Sequence, residues 1–167
     1  MLHRWLFFGI FLLSTLLAQT SLAEEKLVPV SPDGQPQFGT SVAVAGSYAI
    51  IGAPNDDDYS DNGGSVHIFE RVAGVWTFKT KLGDGLAVGG SRFGTAVGIS
   101  GERAIVGAPH DFRGKAYVFV RVGGSWVLED TLEGDAWAGE FGAAVSISGS
   151  TALVSAPDDG GGGIRSG

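Results

Sequence analysis

The sequence predicts an all-β protein: a partial β-propeller of four-stranded antiparallel blades, with two full blades, one half blade and one orphan N-terminal strand. Three observations predict it. A segment that begins Phe-Gly and ends Gly/Ser-Ala-Pro occurs three times, at Phe38 to Pro54, Phe93 to Pro109 and Phe141 to Pro157. In each copy the Phe and the residue before Ala-Pro stand 14 positions apart. The first two copies are followed by matching strand pairs, in which Arg71-Val72-Ala73-Gly74-Val75-Trp76 aligns with Arg121-Val122-Gly123-Gly124-Ser125-Trp126. Recurrence at about 50 residues is the mark of a propeller-type blade, a unit that cannot bury its apolar faces alone.

The N-terminus reads as a signal peptide over residues 1–23. Arg4 supplies a basic start, Trp5 to Ala18 is apolar, and Ser21 and Ala23 place small residues at a cleavage site. An uncleaved anchor is the competing reading, but a span takes about 20 apolar residues and this run is shorter. Cleavage after Ala23 makes the protein secreted or surface-exposed, periplasmic or extracellular, with no membrane insertion afterwards. The chain has no Cys, which removes lipoprotein attachment, disulfides and cysteine catalysis together. Its formal net charge of -7 argues against nucleic acid and anionic membranes, since both repel it.

Residues 24–167 then form one repeat domain, with units at about 38–82, 93–132 and 141–157. Lys26 to Val30 reads as the orphan strand, placed on an edge because Pro29 has no N–H to give a ladder. In the first unit, Thr40 to Val44 and Tyr48 to Ile51 flank the turn Ala45-Gly46-Ser47 as a hairpin. Their small and β-branched residues suit strands covered on both faces. Ser65 to Arg71 and Trp76 to Leu82 follow as third and fourth strands, the last alternating as a half-exposed outer strand does. The second unit repeats this plan through Arg103 to Val106, Lys115 to Arg121 and Trp126 to Leu132. The third holds only Ala143 to Ile147 and Thr151 to Val154 before a tail with four consecutive Gly. The loop after Ala-Pro varies in length between units, so it lies on the surface.

These motifs resemble the FG-GAP repeat, the blade unit of the integrin α-subunit head, and are more similar to the bacterial secreted type than to the integrins themselves. The resemblance spans about Lys26 to Pro157. It implies a seven-bladed propeller, of which this chain supplies fewer than three blades. The expectation is therefore a fragment of a larger propeller, a truncated product or part of an assembly. It also implies extracellular binding or adhesion. Integrin repeats often hold calcium between Phe-Gly and Gly-Ala-Pro, but the corresponding turns here, Ala45-Gly46-Ser47, Ser100-Gly101-Glu102 and Ser148-Gly149-Ser150, carry one carboxylate among them. That site does not carry over.

The remaining metal candidate is the acidic loop Asn55 to Gly64, where Asp56, Asp58 and Asp61 could offer oxygens to calcium. The competing reading is a solvated turn of good turn formers. No other cofactor is expected. His67 takes the position of Tyr117 in the next unit and reads as a packed strand residue. Trp76 and Trp126 occupy equivalent positions and read as core, which leaves Trp137 as the expected exposed aromatic. No nucleophile elbow, phosphate loop or zinc motif is present.

The functional expectation is an exported, non-catalytic module that binds an extracellular protein or glycan through its loops. Open sheet edges add an expectation of self-association. The alternatives are an enzyme or accessory domain acting on polysaccharide through Asp56, Asp58 and Asp61, or a product with no independent function.

Overall fold

The repeats fold as successive antiparallel sheets stacked face to face. The computed structural model describes residues 25–29, 37–85, 89–134 and 139–157. The expected signal peptide, Trp137, Asp158 and Asp159 lie outside them. The first blade contains β1 (Ser41–Ala45), β2 (Tyr48–Ala53), β3 (Ser65–Val72) and β4 (Val75–Leu82), in that spatial order. The second contains β5 (Ala96–Ser100), β6 (Arg103–Ala108), β7 (Lys115–Val122) and β8 (Ser125–Glu133), again in order. A third sheet pairs β9 (Val145–Ser148) with β10 (Thr151–Val154). All described elements are strands, as expected.

Turn chemistry sets each hairpin. The β3–β4 turn uses Ala73 and Gly74 at φ 51° and 89°, the two positive values that a type I′ turn demands. The β7–β8 turn uses Gly123 and Gly124 at φ 58° and 89° for the same purpose. The two full blades also share a register shift, between Ile68 and Phe69 and between Val118 and Phe119. Strand β2 is buried along its whole length, as its composition predicted.

The largest core lies between the blades. Tyr48, Ile50, Val66 and Ile68 of the first face Ile99, Val106, Phe119 and Trp126 of the second. The Tyr48 and Trp126 rings meet edge to face at 5.8 Å. A second core joins Ile105, Ala116 and Val118 to Val145, Ile147, Ala152 and Val154 of the third sheet.

The Phe-Gly turn is the staple between blades. Phe93 is fully buried against Tyr117 and Phe119 of its own blade. Its N–H donates to Gly63 O of the preceding blade at 2.9 Å. The neighbouring Gly94 carbonyl accepts the Ser41 hydroxyl at 2.7 Å. That carbonyl sits so close to Gly52 that a Cβ there would lie 2.0 Å away. The next junction repeats this: a Cβ on Gly107 would lie 2.0 Å from Gly142 O. The glycine of Gly-Ala-Pro is thus set by the turn of the following blade, a contact no single repeat contains.

One expected element differs. Residues 25–29 form no strand. Pro29 removes a ladder donor, and the segment is held by other means: Leu27 packs against the cluster of Ala49, Ile51 and Phe69, and the Trp76 N–H donates to Glu25 at 3.2 Å.

Candidate functional site

Both full blades carry an aspartate two positions after Ala-Pro, Asp56 in the β2–β3 loop and Asp111 in the β6–β7 loop. The expectation of a solvated acidic turn holds for Asp57, Asp58 and Asp61, which are exposed, but not for Asp56. Asp56 and Asp111 are only 4% and 2% exposed. The turn explains the burial. Asp56 N–H closes on Ala53 O and Asp111 N–H on Ala108 O, which points each carboxylate back under its loop.

A buried carboxylate must be paired. Asp56 receives the Ser65 hydroxyl at 2.8 Å, the Asp58 N–H at 3.0 Å and the Lys81 ammonium at 2.6 Å. Lys81 also contacts Asp58. Burial pushes the Asp56 carboxyl up, but the hydrogen bonds from Lys81, Asp58 N–H and Ser65 outweigh it and hold the group below the usual range. Lys81 is likewise held above its ordinary value, burial being outweighed by the two carboxylates. Asp61 is not drawn into this pair; its carboxylate accepts from the Asn62 side chain.

Asp111 is paired differently. The Tyr117 hydroxyl donates to it at 2.9 Å and the Lys115 ammonium lies at 3.2 Å. Lys115 occupies the place of Ser65, and Thr131 that of Lys81, by strand register. The cation has moved from the outer strand to the third strand, yet reaches the same buried position. His67 stands where Tyr117 does, fully buried, with Nε2 3.7 Å from Asp56 and neither ring nitrogen hydrogen-bonded. Burial, then the Lys81 charge, hold its pKa below the ordinary value, so it is neutral. Sealed from solvent, it can touch no substrate.

Calcium binding asks for six to eight converging oxygens. Among the described residues no group of three or more His, Cys, Asp or Glu is placed to hold a metal ion. The Lys81 ammonium already sits between Asp56 and Asp58, two of the three candidate ligands, and the residues do not fit the ion.

The exposed chemistry of the second loop lies beside Asp111. A cleft of about 310 Å³ opens there, lined by Asp111, Phe112, Arg113, Lys115 and Glu133 among others. Phe112 is 87% exposed and adopts φ 53°. Its counterpart in the first loop, counted back from Gly64 and Gly114, is Asn62 at φ 49°. Asn tolerates that left-handed conformation; a bulky aromatic does not do so readily. Sequence reading missed Phe112 because nothing local marks its backbone; only alignment of the two loops from their closing glycines would have shown it. Of the two repeat tryptophans, Trp126 is core and Trp76 is half-buried beside Arg71.

Comparison with known proteins agrees with the repeat reading. The FG-GAP repeat family matches at residues 22–69 and 76–119. No curated protein matches. Among solved structures, one described as the crystal structure of the computationally designed Ika4 protein is 15% identical, covering 82% of this chain and 95% of its own, with a TM-score of 0.35.

Proposed function

The chain belongs to the FG-GAP repeat family, and from that premise we propose that it is an exported, non-catalytic module for extracellular binding or adhesion. Its contact surface is the β6–β7 loop with the adjoining cleft. The observation that carries this reading is Phe112, an exposed aromatic in a left-handed conformation where the sister loop uses Asn. The Phe112 ring meets the Lys115 ammonium at 6.0 Å and is otherwise almost wholly in solvent, so the strain of its backbone presents an aromatic face to a partner. Arg113 and Glu133 at the same cleft offer both charges to a polar partner such as a glycan or a protein loop.

Non-catalytic action is supported by the state of the candidate acids. Asp56 is buried and ion-paired, with its carboxyl held below the usual range, so it is not poised to take a proton at neutral pH, and Asp58 is tied to the same lysine. The test is binding of the purified chain to immobilised polysaccharides and extracellular-matrix proteins, compared with Phe112→Asn. The variant is expected to be as stable as the parent or more so, and to lose binding. A variant that binds as the parent does would remove Phe112 from the contact surface.

A further inference from the structure

Each junction between blades joins two kinds of sheet face. The seating face is built from the β1 and β2 positions that point toward the next blade: Ala43 and Ile50 in the first blade, Gly98 and Ile105 in the second. The covering face comes from the intervening positions: Val97, Ile99 and Val106 in the second blade, Val145, Ile147 and Val154 in the third sheet. Among the described residues one face of each kind is left open: the third sheet's at Leu153, and the first blade's at β1, because Leu27 covers only its Ala49, Ile51 and Phe69 part.

On the first blade, Val42 and Val44 are the counterparts of Val97 and Ile99. They are 68% and 67% exposed, whereas Ile99 is 8% exposed. They line an apolar groove of about 370 Å³ with Ile51 and Trp76. On the third sheet, Leu153 is the counterpart of Ile50 and Ile105. It is 70% exposed, whereas both of those are fully buried. Around it, Ser146 and Ala144 are small, as Gly98 is at the junction already formed. The staple is also ready. The turn at Gln37–Thr40 has the shape of the turn at Arg92–Thr95, with φ 52° against 53° and the same closing hydrogen bond at 3.1 Å.

From this complementarity we propose that the occupant of each uncovered face is a second copy of this chain, stacked head to tail, so that Val42 and Val44 of one copy cover Leu153 of the next. The interface is the one the fold already builds twice within itself. It is heterologous, so the growing stack keeps one free face of each kind at its two ends, and growth continues until a ring closes or an open stack remains. The contact is face to face, not edge to edge.

One residue weakens it. Ser155 stands where Gly52 and Gly107 admit the carbonyl of the following turn, and any Cβ at those two positions would lie 2.0 Å from that carbonyl. Ser155 also ties its hydroxyl to the Ala144 N–H at 2.9 Å. The incoming Phe-Gly turn must therefore sit further out than at the internal junctions.

Sedimentation at physiological salt tests the proposal with substitutions at exposed positions, where folding is not at stake. The parent mass is expected to rise with concentration beyond the dimer. Val44→Glu and Leu153→Glu are each expected to remain monomeric. An equimolar mixture of the two is expected to form a dimer and nothing larger, because only one competent pair of faces remains. Ser155→Gly is expected to tighten association by about tenfold, the equivalent of about 1.4 kcal/mol. A parent that is monomeric at every concentration overturns the proposal. So does association that survives either single substitution, or a mixture that does not pair.

Discussion

The Lys81 ammonium lies 2.6 Å from the buried Asp56 carboxylate, although the two residues come from a loop and the outermost strand of the blade. The pair closes the β2–β3 loop onto the sheet, and the second blade achieves the same closure with Lys115 and Asp111. Removing one partner of a buried pair leaves a charge without compensation, which costs about 3–5 kcal/mol. Lys81→Met is expected to destabilise the protein by about that amount in urea unfolding. Adding Ser65→Lys with Lys81→Thr transplants the arrangement of the second blade and is expected to recover most of the loss. If the transplanted form is no more stable than Lys81→Met, the two pairs are not equivalent.

His67 makes stability depend on pH. Its imidazole takes a proton near pH 6.5 in the unfolded chain, while burial and Lys81 keep the folded form neutral to lower pH. Below pH 6.5 the unfolded state therefore binds more protons, and stability falls as pH falls toward the folded value. Asp56, also depressed, adds a loss of the same sign at lower pH, below the ordinary carboxylate value of 3.8. His67→Tyr copies Tyr117 and removes the first contribution. Its melting temperature is expected to change less than that of the parent between pH 7 and 5. Parallel curves for the two proteins would show that His67 is not the titrating group.

The staple between blades predicts unequal effects from equivalent residues. Gly107→Ala drives a methyl into the Gly142 carbonyl and is expected to cost about 3 kcal/mol, at the upper end for overpacking. Phe93→Ala empties a fully buried site and is expected to cost about 3–5 kcal/mol. Phe38→Ala, at a half-buried position on the outer face of the first blade, is expected to cost less. Equal losses at Phe38 and Phe93 would mean that inter-blade burial does not set the difference.

Calcium is expected to leave thermal stability unchanged, because the Lys81 ammonium already occupies the place between the Asp56 and Asp58 carboxylates. A melting temperature that climbs with calcium concentration would show linkage to a bound ion. Repeating the titration with Asp58→Asn would then place it in this loop or elsewhere.

Much of the fold was legible from residues alone. The 14-residue spacing and the Trp-led outer strand located the hairpins, and apart from the orphan strand the expected strand limits lie within two residues of those described. Asp56 and Asp111 were harder to read. Acidic residues in a loop look solvated, and what buries them is a turn that folds them inward and a lysine 25 or 4 positions further on. The composition of the loop shows neither. The orphan strand was overread for the opposite reason: its apolar residues do pack, but packing alone does not make a ladder.

The sequence by itself determined that this is a repeated all-β chain, because side-chain alternation, turn glycines and period are local properties of the polymer. Only the tertiary structure decided why the glycine before Ala-Pro must be glycine, which carboxylates are buried, and which sheet faces remain uncovered. Those depend on atoms that the stacking of one blade on another brings within contact distance, from positions tens of residues apart.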